Sequence, residues 1–88
     1  MRRAAKIDAN QPEIVAALRA AGHYVQILAA VGHGFPDLLA CKKSGAIMLL
    51  EVKMPGERLT PDECNWHAVF PGPVFVVHSV EEALEVMG

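Results

Sequence analysis

Residues 46–53 read Ala-Ile-Met-Leu-Leu-Glu-Val-Lys, an apolar run that ends in two opposite charges. Its apolar part has no solvent face, so it reads as the central strand of a covered sheet. Strand side chains alternate, which puts Ile47, Leu49, Glu51 and Lys53 on one face. A carboxylate and an ammonium two residues apart are costly to bury without a purpose. The alternative is a strand end that emerges into solvent with a weak ion pair. Any fold for this chain has to be built around that strand and has to choose between those two endings.

The neighbouring elements follow from caps and turns. Asn10, Pro12 and Glu13 read as a helix start: an N-cap, a first-turn proline and a capping-box acid. Ile14, Val15, Leu18 and Ala21 recur at helical spacing, and Gly22 supplies the stop. Residues 23–31 are rich in Tyr, Val and Ile and predict a strand. Residues 37–41 predict a second strand, joined to the central one through a turn at Lys42-Lys43-Ser44-Gly45. Thr60, Pro61 and Glu63 start a second helix that Pro71-Gly72-Pro73 ends. Residues 74–78 predict another buried strand, and Ser79 caps a short last helix ended by Gly88. The order α-β-β-β-α-β-α, with no linker, predicts one α/β domain over residues 10–88 behind a basic N-terminal arm at 1–9.

Size and composition narrow the class. A chain of 88 residues holds one core. Hydrophobic residues make up 52% of it, a high share for so small a volume, and some of that surface is expected to lie against a second copy, as a homodimer. No apolar run is long enough to span a membrane, and Arg2 and Arg3 are not followed by the apolar stretch of a secretory signal. Cys41 and Cys64 are then expected as reduced thiols in a cytoplasmic protein. Net charge is −2, but residues 1–43 carry six basic and three acidic side chains and residues 44–88 carry two and seven. Such a chain is not a plainly basic nucleic-acid binder. It has either a basic N-terminal face or acidic groups that are neutralised by metal ions.

Asp37 shifts the balance between the two endings of the central strand. Pairing of residues 37–41 with 46–53 across the turn brings Asp37 to the Glu51–Lys53 end. Two carboxylates and a lysine at one sheet edge form a hard-oxygen site suited to Mg²⁺ or Mn²⁺. Such a metal activates water and neutralises charge on a phosphodiester, while the lysine orients or deprotonates the nucleophile.

Gly34-Phe35-Pro36-Asp37-Leu38 followed by Glu51-Val52-Lys53 resembles the PD-(D/E)XK nuclease signature. Leu59-Thr60-Pro61-Asp62-Glu63 and Val76-Val77-His78-Ser79 make the chain similar to the VRR-NUC branch, over roughly residues 10–88. The resemblance implies a small restriction-endonuclease-like core, a mixed sheet flanked by helices. It implies a Mg²⁺- or Mn²⁺-dependent deoxyribonuclease, with Asp37, Glu51 and the backbone carbonyl of Val52 as metal ligands and Lys53 as the catalytic lysine. Glu13 matches the first-helix acid that completes the site. Stand-alone members of the branch further imply a phage-type enzyme that cuts branched DNA such as a four-way (Holliday) junction as a homodimer. Two positions depart from the pattern: Glu63 stands where glutamine is frequent, and His78 where an arginine usually ends the last strand.

The remaining features are weaker. Lys42, Lys43, Arg2 and Arg3 are candidate DNA-backbone contacts, and His33 and His78 candidate phosphate contacts. Gly32-His33-Gly34 lacks the third glycine of a dinucleotide loop, and Pro36 blocks the helix that loop needs, so no organic cofactor is expected. Cys64 and His67 supply at most half a zinc site and read as two buried helix side chains. Trp66 and Phe70, one turn apart, read as core or dimer packing. A second class of function is a catalytically silent nuclease-like DNA-binding or assembly module, which DNA binding without cleavage in any metal would favour. A third is a restriction-type nuclease, marked by sequence-dependent cutting of linear duplex.

Overall fold

The strand at residues 46–53 forms the middle of a four-stranded mixed sheet in the computed structural model, which describes residues 7–88. The elements are α1 (Gln11–Ala20), β1 (Tyr24–Ile27), β2 (Leu38–Cys41), β3 (Ile47–Val52), α2 (Pro61–Val69), β4 (Val74–Val77) and α3 (Val80–Met87). The sheet order is β1-β2-β3-β4. The first two pairings are antiparallel and β3 with β4 is parallel, the direction a crossover through α2 requires.

Alternation along β3 divides the molecule into layers. Met48, Leu50 and Val52 point into a core shared with Val25, Leu38, Ala40 and Val77 of the other strands. Ile14, Val15 and Leu18 of α1, with Ala83 and Met87 of α3, close that face. Ile47, Leu49 and Glu51 point the other way, toward α2 and solvent. β4 is an edge strand and not the buried one its sequence suggests: Phe75 and Val76 are exposed, because among the described residues no fifth strand covers that side.

Local chemistry sets most boundaries. Thr60 and Glu63 make a reciprocal capping box at the start of α2, and the Ser79 hydroxyl accepts from the Glu82 amide at the start of α3. β1 ends four residues earlier than its composition suggests. After Leu28 donates to the Asp37 carbonyl, the chain turns (Val31 N–H to the Leu28 carbonyl), and opposite it Pro36 has no N–H with which to continue the ladder. The turn at Gly32-His33-Gly34 has three consecutive positive φ angles, 71°, 56° and 81°. Gly34 is required there twice over, since a Cβ would collide with the Asp62 carbonyl at the start of α2. The same loop places Phe35 edge-on against Trp66, which stacks on Phe70 at a centroid distance of 4.5 Å.

At the N-terminus of α1 the expected capping box is absent. Asn10 makes no side-chain cap; its amide donates to the carbonyls of Lys53 (3.1 Å) and His78 (3.0 Å). It ties the chain entering α1 to the ends of two parallel strands.

Candidate active site

The β2–β3 register pairs Leu38 with Leu50, which sets Asp37 opposite Glu51. The Asp37 carboxylate accepts from the Val52 amide (Oδ2, 2.8 Å), so the strand backbone itself orients it. Glu51 is 1% exposed. Its Oε1 lies 3.2 Å from Nε2 of His67 on α2, and its Oε2 is buried with no hydrogen-bond partner. Burial, then the adjoining Asp37 carboxylate, and the charge of Glu63, push the Glu51 carboxyl up to about 10, with Lys53 opposing. Two carboxyl groups so close share a proton or need a cation.

Lys53 does not emerge into solvent. It is buried, and its Nζ lies 2.7 Å from Oε1 of Glu63. Burial favours the neutral amine, but the hydrogen bond and charge of Glu63, helped by Glu51 and Asp8, outweigh it and raise the ammonium above its ordinary value. Glu63 is likewise held below its ordinary value: the Lys53 bond and the Thr60 amide outweigh its own burial. The acid that stands where the branch often has glutamine is therefore the partner of the lysine as well as the cap of its helix.

Beside these groups lies a cleft of about 1080 Å³ between the β1–β2 loop, the segment after β3 and the first turn of α2; Glu51, fully buried, does not line it. Asp37, Val52 and Lys53 lie along it, with His33 and Glu63 on the loop and helix sides and Arg58 among the lining residues. Asp8, to which the sequence had assigned no role, also lines it, beside Glu57. Burial, then the charge and hydrogen bond of Glu57, raise the Asp8 carboxyl, and it lies close enough to Lys53 and Asp37 to feel both charges. Its only signal in the sequence is that it is the sole acid among the first nine residues.

Other candidates fall elsewhere. Glu13 is exposed and does not line the cleft, because the helical rotation that turns Ile14, Val15 and Leu18 inward leaves it in solvent. Lys42 and Lys43 sit in the β2–β3 turn, beyond Ile47, at the sheet end away from Glu51. Four strand steps lead from Ile47 to Glu51, roughly 13 Å. His78 donates its backbone N–H to Glu82 (2.8 Å), and its ring lies 2.9 Å from the same carboxylate, so it serves the start of α3. Arg2 and Arg3 lie outside the described residues. Cys64 is exposed, not buried.

The VRR-NUC domain family matches residues 4–81. The chain belongs to the VRR-NUC family. A solved structure described as a VRR_NUC domain is similar over 91% of this chain and 96% of its own, with 26% identity and a TM-score of 0.72. No curated protein matches the chain. The VRR-NUC domain is a nuclease-like fold, and nuclease domains of this kind generally use divalent metals. Among the described residues no three His, Cys, Asp or Glu side chains gather as a ready-made metal cluster. The donor set still fits a hard cation: Glu51 Oε2 is buried without a partner beside a second carboxylate. Mg²⁺ needs no more, since it keeps several waters and is commonly bound through one or two carboxylates. No helix among the described residues is long and apolar enough to cross a membrane.

Proposed function

We propose that this VRR-NUC chain is a Mg²⁺- or Mn²⁺-dependent deoxyribonuclease that hydrolyses phosphodiester bonds in branched DNA, acting as a homodimer. The observation that supports the reading is the convergence of Asp37, Glu51 and Lys53 at one end of β3, where Asp37 and Lys53 line a cleft and Glu51 is buried beside them. Asp37 and Glu51, with the Val52 carbonyl, are the groups that would hold the metal. When bound, that ion would supply charge neutralisation at the phosphate and a water of lowered pKa.

The residues define the remaining roles. Lys53 enters the reaction as a cation, because Glu63 holds its proton; it orients the attacking water and faces the phosphate rather than taking a proton. Asp8 takes the place in the cleft that Glu13 does not reach, and acts as the third carboxylate, directly or through water. Arg58 and His33 line the cleft and are the proposed phosphate contacts. The density of acids there disfavours DNA until cations neutralise them. The dimer reading is supported by Tyr24, Ile47 and Val76, on the sheet face that α1 and α3 do not cover, which are 61%, 54% and 36% exposed.

The test is cleavage of labelled four-way junction, flap, single-stranded and linear duplex DNA in Mg²⁺, Mn²⁺ and EDTA, beside Lys53→Ala checked for folding by circular dichroism. Metal-dependent cutting that a folded Lys53→Ala abolishes, with preference for the junction, is expected. Light scattering in the same buffer is expected to give twice the chain mass. EDTA-insensitive DNA binding with no cutting in either metal would replace this reading with the silent-module one.

A further inference from the structure

α2 has no buried residue, and its Trp66 packs against Phe35 of the β1–β2 loop. Its polar links to β3 run through the site itself. Glu63 grips Lys53, and His67, one turn later, reaches Glu51. The spacings match: four helical residues rise about 6 Å and two strand residues about 6.7 Å, so both links form at once. The two residues gripped are alternate positions on one face of the strand end.

We propose that His67 is a positioning residue for Glu51: its ring fixes Oε1 and so leaves Oε2 as the oxygen offered to a divalent cation. This rests on the nuclease reading above and adds a residue to it. A buried carboxylate can rotate between two orientations that present different oxygens, and a neighbour that engages one oxygen removes that freedom. Here the two oxygens are distinct, Oε1 at 3.2 Å from Nε2 and Oε2 buried with no N–H donor. The imidazole is itself confined. Its side chain is 14% exposed, and the Trp66 ring stands edge-on to it at 6.1 Å. Glu63 acts on the lysine and cannot substitute, because its Oε1 is already shared between Lys53 and the Thr60 amide.

The experiment is Mn²⁺ binding by titration calorimetry to the full chain and to its His67→Ala and His67→Gln variants, each checked for helix content. Loss of the ring is expected to weaken Mn²⁺ binding by about 10–100-fold, the usual effect of removing such a partner. Gln, whose amide can still donate to Oε1, is expected to stay within about threefold of wild type. In cleavage assays the Ala variant is expected to need more metal for half-activity yet to approach wild-type kcat at saturation. Unchanged Mn²⁺ affinity in a folded His67→Ala overturns the inference while leaving the nuclease reading intact. If His67→Ala does not fold, a folded His67→Gln that loses tenfold or more in affinity overturns it instead. Wild-type protein that neither binds Mn²⁺ nor cuts DNA removes both.

Discussion

Replacing Glu51 with glutamine is expected to stabilise the metal-free protein. Glu51 is 1% exposed and its carboxyl is pushed from 4.5 up to about 10, by burial first and by Asp37 second. A carboxyl whose folded value lies above its unfolded one keeps a proton on folding that the unfolded chain releases. Its penalty is absent below pH 4.5 and grows through the window up to about 10. The growth is about 1.4 kcal/mol per pH unit, which reaches about 3 kcal/mol at pH 7. Glu51→Gln keeps the shape, removes the titration and leaves every histidine in place, so the difference between the two proteins isolates this one group. Urea unfolding in EDTA at pH 5, 6, 7 and 8 is the assay. The curves are expected to lie close together at pH 5 and to diverge upward, with the variant about 2–3 kcal/mol more stable at pH 7, on the order of 10 °C in Tm. Added Mn²⁺ is expected to narrow the gap by stabilising the wild type. A constant offset across the four pH values would refute the reasoning, because it would mean that Glu51 ionises in the folded state as it does in the unfolded chain.

Three further perturbations test the frame around the site. Asn10→Ala removes two hydrogen bonds to the ends of β3 and β4, and is expected to cost about 2–3 kcal/mol in urea unfolding because the released carbonyls stay partly buried. Glu63→Gln keeps a capping group and removes the charge that holds Lys53. A loss of about 1 kcal/mol at pH 7 is expected, with an alkaline limit of cleavage that moves to lower pH as the ammonium loses its partner. Gly34→Ala adds a Cβ against the Asp62 carbonyl at a φ of 81°, and is expected to detach the loop from α2. Trp66 fluorescence should shift to the red as Phe35 leaves it, with cleavage lost.

Most of the architecture is legible in the sequence because punctuation and pattern agree. Thr60-Pro61 with Glu63, Ser79, the Gly45 turn and the apolar run before Glu51 each have one physical solution, and the chain adopts it. The turn brings Asp37 to the Glu51–Lys53 end, but its exact pairing with Glu51 rests on a loop one residue longer than Lys42–Gly45, with Cys41 opposite Ile47. The failures have a common cause, which is that the residue's partner is far away in the chain. Asn10 has the composition of a cap, yet its amide bonds across 43 and 68 residues. Asp8 looks like part of a basic arm because what places it, the loop with Glu57, is not local. Glu63 and His67 carry no local sign that they face Lys53 and Glu51, since helix periodicity does not say which sheet residues lie beneath. β4 reads as buried because four apolar residues in a row say nothing about whether another strand follows beside them.

The Asn10 tie also sets an order of events during synthesis. Its two acceptors are made long after it, the second 68 residues later. At ribosomal speeds of about 5–20 residues per second, that is a delay of roughly 3–14 s. Asp37, Glu51 and Lys53 all leave the ribosome within it, yet the strand ends that frame them are not yet pinned. A nascent chain halted before β4 carries Asp37, Glu51 and Lys53 without the clasp that fixes the strand ends around them, so the candidate site is complete only once the crossover is made.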